Sequence, residues 1–329
     1  LIAAVFINNE IAGFVANRAH QADIGSDTPG SMPLSTSLQE EGLVIEPCLL
    51  VRDDELIDDV FYELMSSMRN PQESTGDFIA QVAANRRGRQ RLISLILGMG
   101  LDSYRASLDA LNDYARRLAS RSLADIPDGC YRFEDFMDGD GVDGDGEGQD
   151  EGGRVISIMV AITVSGEDIH VDFSGTSAQV SGNINCPISV TAAAVYYVFR
   201  CLMPPQTPAC AGSFAGIDIS APGSSLVNAS YPAAVAAGNV ETSTRIVDVI
   251  LGALAQVIPD RIPAASHGSM NNLAMGAPGD VSHAAWDYYE TIGGGMGASQ
   301  AGDGLDGVQT HMTNTLNTPI ESLEMMYPL

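Results

Sequence analysis

The chain has 329 residues and 45% hydrophobic content, enough to bury a core as one large domain or two ordinary ones. Its formal net charge is -26: 42 Asp and Glu face 16 cations, every one an arginine, because the sequence contains no lysine. Such a surface repels nucleic-acid phosphates and anionic membranes, so neither is expected as a partner. Its self-repulsion suits a salt-loving host, with high-GC codon bias as the plainer account of the missing lysine.

The opening "LIAAVFINNEIAGFVAN" (1–17) reads as two strands around a turn at Asn8-Asn9-Glu10. A Gly/Ser/Pro-rich loop covers 25–37, and residues 53–70 have helical periodicity that stops at Pro71. A longer helix follows over about 76–97, stopped by Gly98 and Gly100. Another starts at an Asp102/Ser103 cap, with Tyr104, Leu108, Leu111, Tyr114 and Leu118 as its apolar stripe. The pair reads as an αα-hairpin packed on a sheet or on a partner. "MDGDGVDGDGEGQDEGG" (137–153) is an acidic solvated loop. As a calcium loop it fails: the register from Asp143 puts Arg154 at the twelfth position, and that from Asp138 puts Val142 in a ligand slot. Next, "RVISIMVAITVSGEDIHVDFSG" alternates as a hairpin turning at 165–168, and helices are expected at about 189–203 and 240–257. The expected fold is α+β, with mixed sheets, β-hairpins, an αα-hairpin and packed helices. Its segments are 1–137 (hairpin and helices), 138–153 (acidic loop) and 154–329 (α/β, with Gly-rich loops). The start without Met and the "YPL" end make it an expected internal fragment of a longer chain.

Three polar clusters exceed what a core needs. In "NRAHQADIG" (17–25), His20 and Asp23 stand three apart beside a glycine. That spacing suits one metal ion, and suits a merely local hydrogen bond more often. In "GNVETSTRIVDV" (238–249), Asn239, Glu241, Thr242 and Ser243 head a helix. Glu241 is either a capping residue or part of a site where free N–H groups meet an anion or carbonyl oxygen. The third cluster joins "SHGSMNN" (266–272), "YYETIGGGMGA" (288–298) and "THMTNTLNTP" (310–319). Its small residues let backbone approach a ligand, and its Asn, Thr and His can orient one.

Several chemistries are excluded or disfavoured. A Walker A loop needs a lysine, no G-x-S-x-G elbow occurs, and no H-x-x-x-H pair exists for a zincin. "GGGMGA" precedes "SQAGDGLDG" and not a helix, against a dinucleotide loop. Cys48, Cys130, Cys186, Cys201 and Cys210 are scattered without a C-x-x-C pair, so reduced thiols in the cytoplasm are expected. His170 reads as a strand surface residue, and His283 earns no role. No apolar stretch reaches the roughly 20 residues that span a bilayer, and no basic-then-apolar leader precedes the first strand.

The stretches "GFVANRAHQADIG", "PGSMPLST", "VDFSGTSAQVSGNIN", "AAVYYVFRCL", "AAGNVETSTRIVDVILGAL", "PAASHGSMNN", "YYETIGGGMGA" and "DGVQTHMTNTLNTPIESLE" together resemble the hydantoinase B/oxoprolinase family. That family includes N-methylhydantoinase, oxoprolinase and the metal-bearing subunit of acetone carboxylase. The stretches follow the family's order over nearly the whole chain. Departures are Gln21 where a second His is common, His267 where Gln is common, and the longer acidic loop. The resemblance implies half of an ATP-dependent enzyme whose nucleotide binds on an actin-like ATPase subunit or domain. It also implies that His20 ligates a divalent metal (Mn, Mg or Zn-like) with a His and an Asp from a Gly-Thr-His-Leu-Pro-Asp stretch upstream of Leu1. Asp23 would then be an extra ligand or an orienter.

The leading expectation is a subunit of a cyclic-amide hydrolase opening a hydantoin or oxoproline-type ring, hetero-oligomeric with a hydantoinase A-type ATPase subunit that carries ATP. Expected catalytic residues are Glu241, Asn239 and His311, substrate-binding residues Asn271, Asn272, Glu290 and Thr310, and metal ligands His20 and Asp23. The alternatives are the metal-bearing subunit of a ketone carboxylase and a non-catalytic acidic assembly subunit.

Overall fold

A computed structural model of the chain describes residues 1–142, 155–277, 279, 286–313 and 315–326, so most of the acidic loop, Asp143, Arg154 and His283 lie outside the described residues. Strands β1 (Ile2–Ile7) and β2 (Glu10–Ala16) form the expected hairpin. Asn8 and Asn9 both have positive φ, 50° and 65°, as a two-residue turn matched to the right-handed strand twist requires. Val5 and Ile7 bury against Ile96 and Tyr104, while Ile2, Phe6, Ile11 and Phe14 stay exposed.

The helix expected over 53–70 begins later. Asp53 and Asp54 also take positive φ and turn a short hairpin, β3 (Val51–Arg52) with β4 (Glu55–Leu56), before α1 (Asp58–Ser66). Pro71 then opens α2 (Pro71–Met99), since a first-turn proline lacks an N–H that would go unsatisfied there. Gly100, at φ 81°, separates α2 from α3 (Leu101–Leu123). On α3 the buried face is Tyr104, Ala115, Ala119 and Leu123. The expected stripe is covered only at its ends: Leu108, Leu111 and Tyr114 are exposed, without cover among the described residues.

The main core follows. Strands β5 (Gly129–Phe136), β6 (Ser157–Ser165) and β7 (Asp168–Asp172) run antiparallel. After α4 (Ile188–Leu202), β8 (Ile217–Ser220) joins β7 in parallel as the sheet edge. Along β6, Ile158, Val160, Ile162 and Val164 are buried at every second position. They face α5 (Ser243–Ala255), which lies on β5 and β6 and carries α4 beside it. Val195, Val198 and Phe199 meet Ile246, Val247, Ile250 and Leu254 there, each such side chain contributing about 1.5–3 kcal/mol by burial. At the β7–β8 edge, His170 bridges Asp218 and Ser220 at 3.2 Å each, a surface role as its strand pattern suggested.

The remaining elements are two small hairpins, β9 (Asn271–Ala277) with β10 (Trp286–Ile292) and β11 (Gly295–Met296) with β12 (Leu305–Asp306), then α6 (Ile320–Met326). The fold is α+β, as expected. No helix among the described residues is long and apolar enough to cross a membrane.

Candidate functional site

Helix α5 is the spine of the site. It is entered through a π-turn at Gly238–Thr242, a wide turn that recurs at functional sites. A Cβ at Gly238 would lie 1.9 Å from the Asn185 carbonyl oxygen, so only glycine allows this approach. Asn185 is itself fixed, donating to the Gly182 and Ala234 carbonyls at 2.8 and 3.0 Å.

Glu241, Arg245 and Asp248 follow at i, i+4 and i+7, the spacing of one helix face. The segment 266–269 is tied along that face. Ser269 donates its hydroxyl to Glu241 Oε1 at 2.7 Å, and Ser266 donates to Asp248 Oδ2 at 3.2 Å. Between them, Gly268 (φ 83°) leaves room for the Arg245 guanidinium, which donates to Asp135 Oδ2 at 2.8 Å. Burial raises the Glu241 pKa; the Ser269 hydrogen bond, Arg245 and His267 pull it down, Asp138 pushes it up, and the net direction is up. Glu241 is therefore a carboxyl biased toward its neutral form and held in one orientation.

The other residues expected in catalysis lie differently. Asn239 is exposed, and its carbonyl accepts from the Ser243 hydroxyl at 2.6 Å. His311 sits at positive φ with its side chain 9% exposed. Its Nε2 is 3.3 Å from Asp248 Oδ1 without making a hydrogen bond, and its ring meets Tyr197 edge-on, so the 310s segment packs beside α5 two helical turns from Glu241. Thr310 is half-buried just before it.

Asn272, expected to bind substrate, is exposed on β9. Its Oδ1 accepts from the hydroxyls of Tyr289 and Thr291 at 2.9 and 3.0 Å, and its Nδ2 donates to the Met270 carbonyl at 2.9 Å. Asn271 is exposed beside it. Glu290 accepts from the Tyr288 hydroxyl at 2.6 Å and the Thr318 N–H at 2.8 Å, and these bonds lower its pKa. Both of its oxygens thus serve local structure. The glycine run packs tightly without a nucleotide-loop shape: Cβ atoms at Gly294 and Gly297 would lie 2.3 Å from the His267 ring and 2.1 Å from the Ala264 oxygen.

His20 reaches this wall from the other end of the chain. Its ring centroid is 5.6 Å from that of Tyr289, and burial of the ring lowers its pKa although the residue as a whole is exposed. The Asp23 carboxylate is buried and accepts the N–H of Gly25 at 2.8 Å and that of Asn70 at 2.7 Å, tying the loop to the start of α2. Among the described residues no group of three or more His, Cys, Asp or Glu could hold a metal. The donors present do not by themselves fit a metal ion.

Four contributors escaped the sequence reading. Arg245 and Asp248 were legible as the i+4 and i+7 partners of Glu241, whereas Tyr289 and Ser269 act through tertiary contacts that no spacing shows.

The sequence profile of the family described as hydantoinase B/oxoprolinase matches residues 1–329. An uncharacterized protein of Methanocaldococcus jannaschii is 38% identical over 100% of this chain and 55% of its own. A Pseudomonas protein named as the B component of a D-/L-hydantoinase is 33% identical over 99% and 55%. 5-Oxoprolinase 1 of Arabidopsis thaliana is 34% identical over 100% of this chain and 26% of its own. The ATP-dependent caprolactamase from Pseudomonas jessenii superposes with TM-score 0.86 and 27% identity, covering 99% of this chain and 56% of that one. Acetone carboxylase superposes with TM-score 0.83 over 98% of this chain and 44% of its own, at 17% identity, a likeness of fold alone. The α+β fold and this match place the chain among relatives of the hydantoinases and 5-oxoprolinases. The chain belongs to the hydantoinase B/oxoprolinase family and spans about half the length of its bacterial and archaeal relatives.

Proposed function

We propose that this chain supplies the ring-opening half of an ATP-dependent cyclic-amide hydrolase, acting on a hydantoin or oxoproline-like ring in a hetero-oligomer with a hydantoinase A-type ATPase. Glu241 carries the reading: a carboxyl biased toward neutrality, hydrogen-bonded by Ser269, on the π-turn of α5. The names of the 5-oxoprolinase, hydantoinase and caprolactamase relatives support it.

An amide resists attack because its nitrogen lone pair is delocalised into the carbonyl. Transfer of the ATP γ-phosphoryl group to the carbonyl oxygen of the ring amide, with loss of ADP, makes its carbon electrophilic. Water then adds, the C–N bond breaks to an acyl phosphate, and a second water releases phosphate and the carboxylate. The departing nitrogen needs a proton, which Glu241 gives as general acid. Ser269 holds the donor, and the Arg245–Asp135 pair steadies the helix beneath it. His20 is in this reading one donor of a divalent-metal site (Mn, Mg or Zn-like) whose other donors lie outside the described residues. The fold likeness to acetone carboxylase adds nothing specific for carboxylation.

Steady-state ring opening of hydantoin and 5-oxoproline with the cognate ATPase tests this. Glu241→Gln should lose about 10²–10⁴-fold in kcat and the fall in rate as pH rises through the Glu241 pKa. Wild-type turnover in that variant would overturn it.

A further inference from the structure

Tyr289, on β10, touches the two ends of the site at once. Its hydroxyl donates to Asn272 Oδ1 at 2.9 Å, with Met32 Sδ as a second partner at 3.3 Å, and its ring lies 5.6 Å from that of His20 at a tilt of 39°. The ring also rests on Gly30, where φ is 74° and a Cβ would come within 2.3 Å of Tyr289 Cδ2. That glycine belongs to the His20 loop: its N–H donates to the Ala22 carbonyl at 3.0 Å, and Ser31 Oγ accepts from the Ile24 N–H at 3.0 Å.

The Asn272 carboxamide is consequently locked. Two hydroxyls occupy its oxygen and the Met270 carbonyl takes one N–H, leaving the second N–H on an exposed residue. A fixed amide donor of this kind suits a carbonyl oxygen.

We propose that Tyr289 is a positioning residue that holds the His20 imidazole and the free N–H of Asn272 in fixed relation, so that the Asn272 N–H meets the carbonyl of a cyclic-amide ligand at a set distance from His20. The inference rests on the ring-opening reading above, and two substitutions separate its parts. Tyr289→Phe keeps the ring against His20 and loses the bond to Asn272; Tyr289→Leu loses both, with Tyr289→Met as the substitute should Leu not fold.

The first readout needs no activity. Histidine-labelled chain is examined by NMR, with His20→Gln identifying the His20 ring resonances. Those resonances should move in Tyr289→Leu and stay in Tyr289→Phe. The second readout is kinetic, in the assembled enzyme. Tyr289→Phe should raise KM for the cyclic amide about 10-fold with kcat near wild type, as loss of one hydrogen bond implies. Tyr289→Leu should lower kcat about 100-fold, as a misplaced group does. Asn272→Ala should match the KM effect, and adding Tyr289→Phe to it should change nothing further. Unmoved His20 resonances in Tyr289→Leu, or KM and kcat changing together in both variants, would overturn the proposal. Resonances that move as expected in a wild type that opens no cyclic amide would remove the functional reading and leave the positioning intact.

Discussion

At Glu241, burial works against the ionised carboxyl. A carboxyl whose folded pKa is raised contributes stability that is fully present below its unfolded pKa and is lost as pH rises through the folded value. Glu241→Gln cannot ionise, so it should melt higher than wild type near pH 7 and no higher below about pH 4; scanning calorimetry at both values checks the difference. Asp23 instead accepts two backbone N–H groups. Asp23→Ala strands the N–H groups of Gly25 and Asn70 and should cost about 2–4 kcal/mol, read from denaturant midpoints, and an unchanged midpoint would deny it a structural role. The local half of that role was legible, because an Asp two residues before a glycine N–H is a familiar turn. The bond to Asn70 was not, since a tertiary partner leaves no spacing in the sequence. Glu290 is similar: it stood out as a charged residue among glycines, and only the fold reveals Tyr288 and Thr318 on its oxygens.

Among the elements, turns were most readable where residue type dictates φ. Asn8-Asn9 announced its hairpin because asparagine tolerates positive φ, and Gly166 does the same between β6 and β7. Asp53-Asp54 do so too, yet the helical periodicity that follows them concealed them, which is why α1 begins later than expected. The start of α5 was close, but the extra residue of its π-turn has no periodic signature. That turn depends on Gly238. Gly238→Ala drives a Cβ into the Asn185 carbonyl and should cost about 1–3 kcal/mol as overpacking does. It should also reduce turnover by shifting Glu241 from Ser269. Melting and kinetics measured together check this, and a variant normal in both would show the turn to be tolerant. The exposed residues of α3 follow a different logic: their spacing correctly marked a helix face but could not say whether anything covers it.

The whole molecule is dominated by its charge. With a net charge of -26, like charges repel at low ionic strength and salt screens them. The melting midpoint should therefore climb from low to molar potassium chloride, and a flat or falling midpoint would remove the case for salt adaptation. At this scale the family was legible because its polar stretches keep their order along the chain, and the profile match over residues 1–329 agrees. The central claim is that the chain opens an amide ring only when coupled to ATP cleavage on another component. The direct measurement is the ratio of phosphate released to ring opened, for the chain alone and with its ATPase partner, with and without ATP. The account predicts that the chain alone releases neither, and that partner plus ATP gives one phosphate per ring opened. Phosphate release by the chain alone, or ring opening without ATP, would contradict it.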